Sequence, residues 1–437
     1  MDKVDDMLEL WCSAPGIEFV NAEAEQAYKK RVKRIADVIQ MKVPDRVPVV
    51  LSFGFFYAKY AGITAKEAHY DYDKWRIAVK KTVKDFEPDM YANPRLVLMA
   101  PGPLLDMLDF RQIKWPGHGV SPQHSFQFVE GEYMKAEEYD AFLQDPSDYV
   151  IRTYLPRIYG VFEPFRRLPP LRSMMGGYAA AHLVAAVARP EIAGAMETLA
   201  KAGAESLRWR SSMDSLLQEL TEMGFPRSAQ ASAMAPYDVI GDFLRGTRGI
   251  MLDMYRQPEK LIEATEKVLP MQLEGAVFIA KHSGNPIVFI PLHKGAEGFM
   301  SPQQFQTFYW PTLLKLIEGL ADEGLVPWLF FEGDYTSRLE IIRHMPKGKT
   351  ICHFELTDIF RAKEVLGSVA CIRGGIPNLL LCTGTTKEVK EHCRRLVDVV
   401  GQGGGFIMDT GAIVDEANPE NMKAMIDFTK EYGVYSQ

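Results

Sequence analysis

Apolar residues in this chain gather into short continuous runs, and between the runs they recur at helical spacing. Runs at 47–51, 96–99, 285–292, 327–331, 350–353, 369–372 and 405–408 have the length of buried strands. Amphipathic stretches at 22–41, 72–86, 190–223, 237–255, 259–282, 301–320, 359–366, 386–400 and 418–432 predict helices. Ser301 before Pro302 marks a helix start, because the hydroxyl caps orphan amides and proline costs no hydrogen bond in the first turn. From residue 327 onward the two patterns alternate, which is the signature of parallel βα units. Seven or eight such strands predict a (β/α)8 barrel whose functional rim is the carboxyl end of the strands.

The candidate chemistry lies in the unit from 326 to 355. Glu332 closes one predicted strand, Gly333 punctuates it, and His353 closes the next. Parallel strands joined by a helix bring both ends to one rim, where a carboxylate and an imidazole reach a common divalent ion such as zinc. Either residue also reads as an ordinary solvated or capping side chain. His293, followed by Lys294, closes the strand at 285–292 in the same way. After 47–51 come Phe53, Phe55, Phe56, Tyr57 and Tyr60, which suit an apolar pocket wall or plain core packing.

Residues 101–150, rich in proline, glycine and aromatics, predict an insertion with a small β-hairpin layer over one rim. His118 and His124 lie in it and read as structural. Residues 1–45 predict an N-terminal helical extension to one domain spanning 1–437.

Composition narrows the class. An apolar fraction of 47% is that of a globular protein with a sizeable core. A net charge of −7 without a basic block argues against a nucleic-acid partner. No apolar run approaches a membrane span, and the charged start carries no signal-peptide core, so the expected address is the cytoplasm. Cys12, Cys352, Cys371, Cys382 and Cys393 form no Cys-x-x-Cys pair, which speaks against a zinc ribbon or a disulfide scaffold.

Several stretches together resemble the uroporphyrinogen decarboxylase superfamily. They are Ile372-Arg-Gly-Gly-Ile-Pro, Leu381-Cys-Thr-Gly-Thr-Thr-Lys-Glu-Val, Gly404-Gly-Phe-Ile-Met-Asp and Ala417-Asn-Pro-Glu-Asn-Met-Lys-Ala-Met. The resemblance implies a single (β/α)8 barrel with its site at the strand ends. The decarboxylase itself holds a polycarboxylate on arginines after the first strand, where this chain has Leu51-Ser-Phe-Gly-Phe-Phe-Tyr-Ala-Lys-Tyr and no arginine. An unpaired polycarboxylate there would be costly to desolvate. The thiol-methylating branch uses His-x-Cys and a later Cys, and the matching positions here are Phe330, Glu332 and Ala412.

What remains looks like the corrinoid-dependent O-demethylase branch, which acts on phenyl methyl ethers. That resemblance implies zinc on Glu332 and His353, with Glu318 as the third ligand. His293, Glu297, Asp334 and Asp409 compete with Glu318 for that place. It implies an aromatic methyl ether among Phe55, Phe56, Tyr57 and Tyr178, and a zinc-polarised ether oxygen. Asp334 or His293 would help protonate the departing phenolate. The methyl acceptor is the cobalt(I) of a corrinoid on a transient partner protein, since no Asp-x-His-x-x-Gly cobalamin motif occurs in this chain. Two alternatives stay open. One is a metal-free decarboxylase or lyase holding a small acid on Arg245, Arg248 or Arg373. The other is a corrinoid methyltransferase for a non-aromatic donor.

Overall fold

The computed structural model describes residues 2–175 and 178–435. Eight parallel strands carry the core: β1 (Val50–Leu51), β2 (Met90–Tyr91), β3 (Ala231–Ser232), β4 (Ile287–Leu292), β5 (Val326–Phe331), β6 (Ile351–Phe354), β7 (Cys371–Ile376) and β8 (Phe406–Thr410). β3 to β8 form one sheet in sequence order, and β1 pairs with β2 in another. Single bridges, Val49 to Met408 and Tyr91 to Arg227, link the two sheets at either side. The strands thus follow one another in the order of an eightfold βα array, but among the described residues the ladder is interrupted at two joints and no continuous closed barrel forms.

Two N-terminal helices cover the amino ends of the strands. α1 (Lys3–Ser13) starts on an Asp2 cap and α2 (Ala22–Ile39) on an Asn21 cap, each side chain accepting an otherwise orphan amide. Their apolar faces (Val4, Leu8, Val32, Ile35) join one cluster with Val50, Met90, Ile287, Val326, Ile351 and Cys371. Each of those six is the first residue of its strand, so the helical extension plugs that end and leaves the carboxyl end open.

Several predicted boundaries shift for physical reasons. The run at 96–99 is not a strand: Asn93 caps and Pro94 opens a helical turn, Pro94–Val97, and the strand is the earlier Met90–Tyr91. Ala231–Ser232 is too short to show as an apolar run, and the sequence reading passes over it. The stretch at 237–255 is not one helix. A widened turn, Val239–Arg245, separates Pro236–Asp238 from Gly246–Arg256, and Gly246 takes φ +69° at the second joint. The excursion after β2 holds three short strands, Ile113–Pro116, Gly119–Val120 and Gln127–Phe128. It continues past residue 150 to the long helix Pro190–Glu222. Among the described residues, no helix is long and apolar enough to cross a membrane.

Candidate active site at the carboxyl rim

Strand β4 hands over to His293 and Lys294, whose amides donate to the two oxygens of Asp238 at 2.9 and 3.0 Å. Asp238 is buried and also accepts from the Tyr309 hydroxyl at 2.6 Å. Burial and the neighbouring Asp242 push its carboxyl up to about 6, against the pull of His293 and the hydrogen bonds. Four residues on, Asp242 lies 2.6 Å from His293 Nδ1 and 2.9 Å from Lys294 Nζ. Both carboxylates meet the end of β4 because they flank the first part of the widened turn, a feature common at functional sites.

His293 Nε2 lies 3.4 Å from Glu332 Oε1, longer than an ordinary hydrogen bond. Burial alone would pull the imidazole down, but the carboxylates of Asp242, Glu332 and Asp238 outweigh it and raise His293 to about 11. His293 is therefore an imidazolium at neutral pH. One of its N–H groups is spent on Asp242, and the other is loosely held.

Asp242, His293, Lys294 and Glu332 line a cavity of about 650 Å³. Its walls are aromatic: Phe55, Phe126, Phe243, Phe289, Trp328 and Phe330 all face it, with His353 beside them. His353 is not at the end of its strand but inside β6, in register with Phe330. Its Nε2 is 2.7 Å from the Thr410 carbonyl, and its Nδ1 is buried without a partner among the described residues. Burial, with the Arg373 cation nearby, lowers it to about 4, so the ring is neutral. Gly374 makes room for it: a Cβ there, at φ +114°, would sit 3.2 Å from His353 Cδ2 and 2.7 Å from the Phe354 carbonyl.

The predicted residues divide. Glu332, His353, His293 and Phe55 line the cavity together. Phe56 packs in the core on Phe53 and Tyr60, and Tyr57 is buried with its hydroxyl on the Ala92 carbonyl. Tyr178 is 93% exposed and outside the cavity lining. Asp334 caps its own loop, accepting from the Thr336 amide and hydroxyl, and Glu297 accepts from the Ser337 amide. Glu318 sits exposed near the end of the helix Trp310–Asp322 that leads into β5, away from the cavity. The arginines of the decarboxylase alternative are elsewhere as well. Arg245 is bound to Asp253 and Glu132, Arg373 to Asp409 and Ser52, and Arg248 is exposed.

The donor set does not fit a three-ligand zinc site. Among the described residues, no group of three or more His, Cys, Asp or Glu side chains is gathered to hold a metal ion. Glu332 faces His293, His353 faces Thr410, and Asp409 is taken by Arg373, Ser52 and the Thr410 amide. Sequence reasoning missed Asp242 and the role of Lys294. The signal was present as two aspartates four apart, Asp238 and Asp242, on an otherwise apolar helical stretch. The aromatics Phe126 and Phe243 carry no such periodic signal.

A family model described as uroporphyrinogen decarboxylase (URO-D) matches residues 212–432, just over half of the 437-residue chain. A uroporphyrinogen decarboxylase from Geotalea daltonii is 26% identical over 197 residues, a match covering 44% of this chain. The chain spans 56% of that relative's length. Among solved structures, a methyltransferase from Methanosarcina mazei shares the fold with a TM-score of 0.57 at 14% identity. That likeness covers 92% of this chain and 98% of the other. The family match takes in His293, Glu332 and His353 but not the aromatic segments around Phe55 and Phe126.

Proposed function

This chain belongs to the uroporphyrinogen decarboxylase (URO-D) family, and from that premise we propose that it removes the methyl group of an aromatic methyl ether and passes it to a cobalt(I) corrinoid on a separate protein. One observation carries the reading: His293, held as a cation on Asp242 at 2.6 Å, stands in an aromatic cavity that no arginine lines among the described residues. In this reading the eight parallel strands work as a (β/α)8 barrel of the cytoplasm with its chemistry at the carboxyl ends. The volume suits a small aromatic molecule, and ring-on-ring contacts contribute about 0.5–1.5 kcal/mol each beyond area burial.

The chain's own residues bind the ring and manage the leaving oxygen. As the methyl–oxygen bond lengthens, its electron pair collects on the aryl oxygen, and His293 Nε2–H donates there. A phenol titrates near ~10, close to His293, so the proton is shared with the departing phenolate and not given to the intact ether. Asp242 fixes the ring through Nδ1, and Lys294 balances the Asp242 charge. The corrinoid supplies the nucleophile for the methyl carbon and would approach through the mouth, where Met99, Phe126 and Ile413 expose apolar surface. No step runs through zinc, which the donors present do not fit.

A methylated cation is the second reading. Glu130, Asp242, Glu332 and Asp415 outnumber Lys294 and His293 in the lining, and a quaternary ammonium is attracted to aromatic faces. Calorimetric titration with guaiacol, choline and a benzenetricarboxylate, followed by methyl transfer to a cobalt(I) corrinoid, separates the readings. Guaiacol is expected to bind and to yield its methyl group. Binding of choline or the tricarboxylate in its place would overturn the proposal.

A further inference from the structure

The arginines that the catalytic cavity lacks stand behind its wall. Asn93, Leu96 and Met99 border that cavity on one side and, on the other, a groove of about 1390 Å³ over the joint between β2 and β3. Arg95, Arg210 and Arg227 line the groove, and Asp214 is its one carboxylate among the described residues. Asp214 is spent on Arg95 at 2.5 Å. Two cations are left without a counter-charge, in a protein whose net charge is −7.

Arg227 is fixed at its backbone. It forms the single bridge to Tyr91 that joins the two sheets, and its carbonyl accepts from Asn285 Nδ2 at 3.0 Å. The residue is only partly exposed, and its Nε is sealed without a partner. The two end nitrogens also find no partner among the described residues, but they keep contact with solvent in the groove. A guanidinium that has given up part of its hydration and gained no partner is costly unless an anion completes it.

The groove is not a packing seam between helices. Gln230 and Ser232 alternate onto one face of β3, where a buried parallel strand ordinarily carries apolar side chains against its helix. On the helix Pro190–Glu222, Ser211, Asp214 and Gln218 recur at helical spacing and line the same groove. Ser206, Ser211 and Ser232 add hydroxyls that no protein group takes up among the described residues. The apolar part of the lining includes Leu207 and, on the helix Pro258–Ser283, Phe278, each 66% exposed.

Two unneutralised cations, unspent hydroxyls and exposed apolar side chains in one groove suit an organic oxyanion. We propose that the groove is a second binding site, for a phosphate or carboxylate carried on an apolar body, with Arg227 and Arg210 on the anion and Leu207 and Phe278 against the body. None of these four residues lines the catalytic cavity, so the site is independent of the aromatic-ether reading.

The test is calorimetric titration of the full-length protein with phenyl phosphate, benzoate and neutral benzyl alcohol at low ionic strength, where such contacts are least screened. Wild type should bind at least one anion and not the alcohol. Tighter phenyl phosphate assigns the site to phosphate esters, and tighter benzoate assigns it to carboxylates. Arg227→Gln should weaken the anion about 10- to 100-fold, the range for hydrogen bonds to a charged group. Arg210→Gln, at an exposed position, should weaken it about 2- to 5-fold. His293→Gln, in the catalytic cavity, should leave anion binding unchanged. The proposal is overturned if wild type binds neither anion, binds the alcohol as tightly, or keeps its affinity in Arg227→Gln. Loss of binding in His293→Gln would overturn it as well, by placing the anion in the catalytic cavity. Should Arg227→Gln not fold, Arg210→Gln and Leu207→Glu, which sets a carboxylate in the groove, decide.

Discussion

Charged side chains are buried at both ends of the strands, and the two clusters differ in what they leave unspent. At the amino end Asp89 accepts from Arg34 at 2.6 Å, from Arg46 at 2.8 Å and from the Val49 amide at 2.8 Å. Asp45 takes the other side of the Arg34 guanidinium. Burial raises the Asp89 carboxyl, but Arg46 and Arg34 outweigh it and hold it below the usual range. α1 and α2 close this end. At the carboxyl end Asp242 and Lys294 are paired, yet His293 Nε2 is loosely held, and His353 Nδ1 and Trp328 Nε1 have no partner among the described residues. That cluster opens on a cavity of about 650 Å³. A buried charge network alone marks no site. At the carboxyl end His293 stands on an open aromatic cavity, whereas the amino end of such folds is where stability resides.

The comparison breaks most visibly at Asp89. Asp89→Ala leaves two arginines facing a buried gap, and urea denaturation should show a loss of about 3–5 kcal/mol, with guaiacol affinity of the folded fraction unchanged. The sign with pH follows from the depressed carboxyl. Its contribution is present above the unfolded value of ~3.9 and is lost as pH falls through the folded value, so the variant should flatten the acid limb of the stability curve.

At the rim the expected loss is in rate. His293→Gln should slow methyl transfer by about 10²- to 10⁴-fold while guaiacol affinity changes little. A histidine raised to about 11 stabilises fully below the unfolded value of ~6.5, and the contribution fades as pH rises and is gone past about 11. Thermal melts across that window should therefore converge for wild type and His293→Gln at the alkaline end, and the wild-type rate should hold through neutral pH.

A smaller effect separates two adjacent aromatics. Phe55→Ala should weaken guaiacol about 10-fold, on the scale of partial burial of one phenyl group. Phe56→Ala should cost stability and leave affinity alone, because Phe56 packs in the core. Smallest of all, Glu318→Ala on its exposed helix should stay within ~0.5 kcal/mol in denaturation and leave the rate unchanged.

The repeating βα beat was readable because continuous apolar runs and period-3.6 patterns are local, and β4 to β8 all fall on predicted runs. β2 and β3 were not, since neither lies in a continuous apolar run and their pairing is decided by neighbours far along the chain. In the site, strand ends announced His293, Glu332 and His353. What they touch was not announced. Pairing Glu332 with His353 follows from reading strand ends as one plane, whereas His353 sits inside β6 and Glu332 turns to His293. Phe55 and Phe56 are neighbours in sequence with opposite fates, because the short helix Phe56–Ala61 begins between them.

The measurement closest to the central claim is transfer of the guaiacol methyl group to a cobalt(I) corrinoid, followed for wild type and His293→Gln with guaiacol affinity measured on the same samples. The account predicts transfer by wild type, a loss of at least about 100-fold in the variant, and similar affinity in both. Equal rates in the two proteins, or guaiacol bound with no methyl transfer in either, would contradict it.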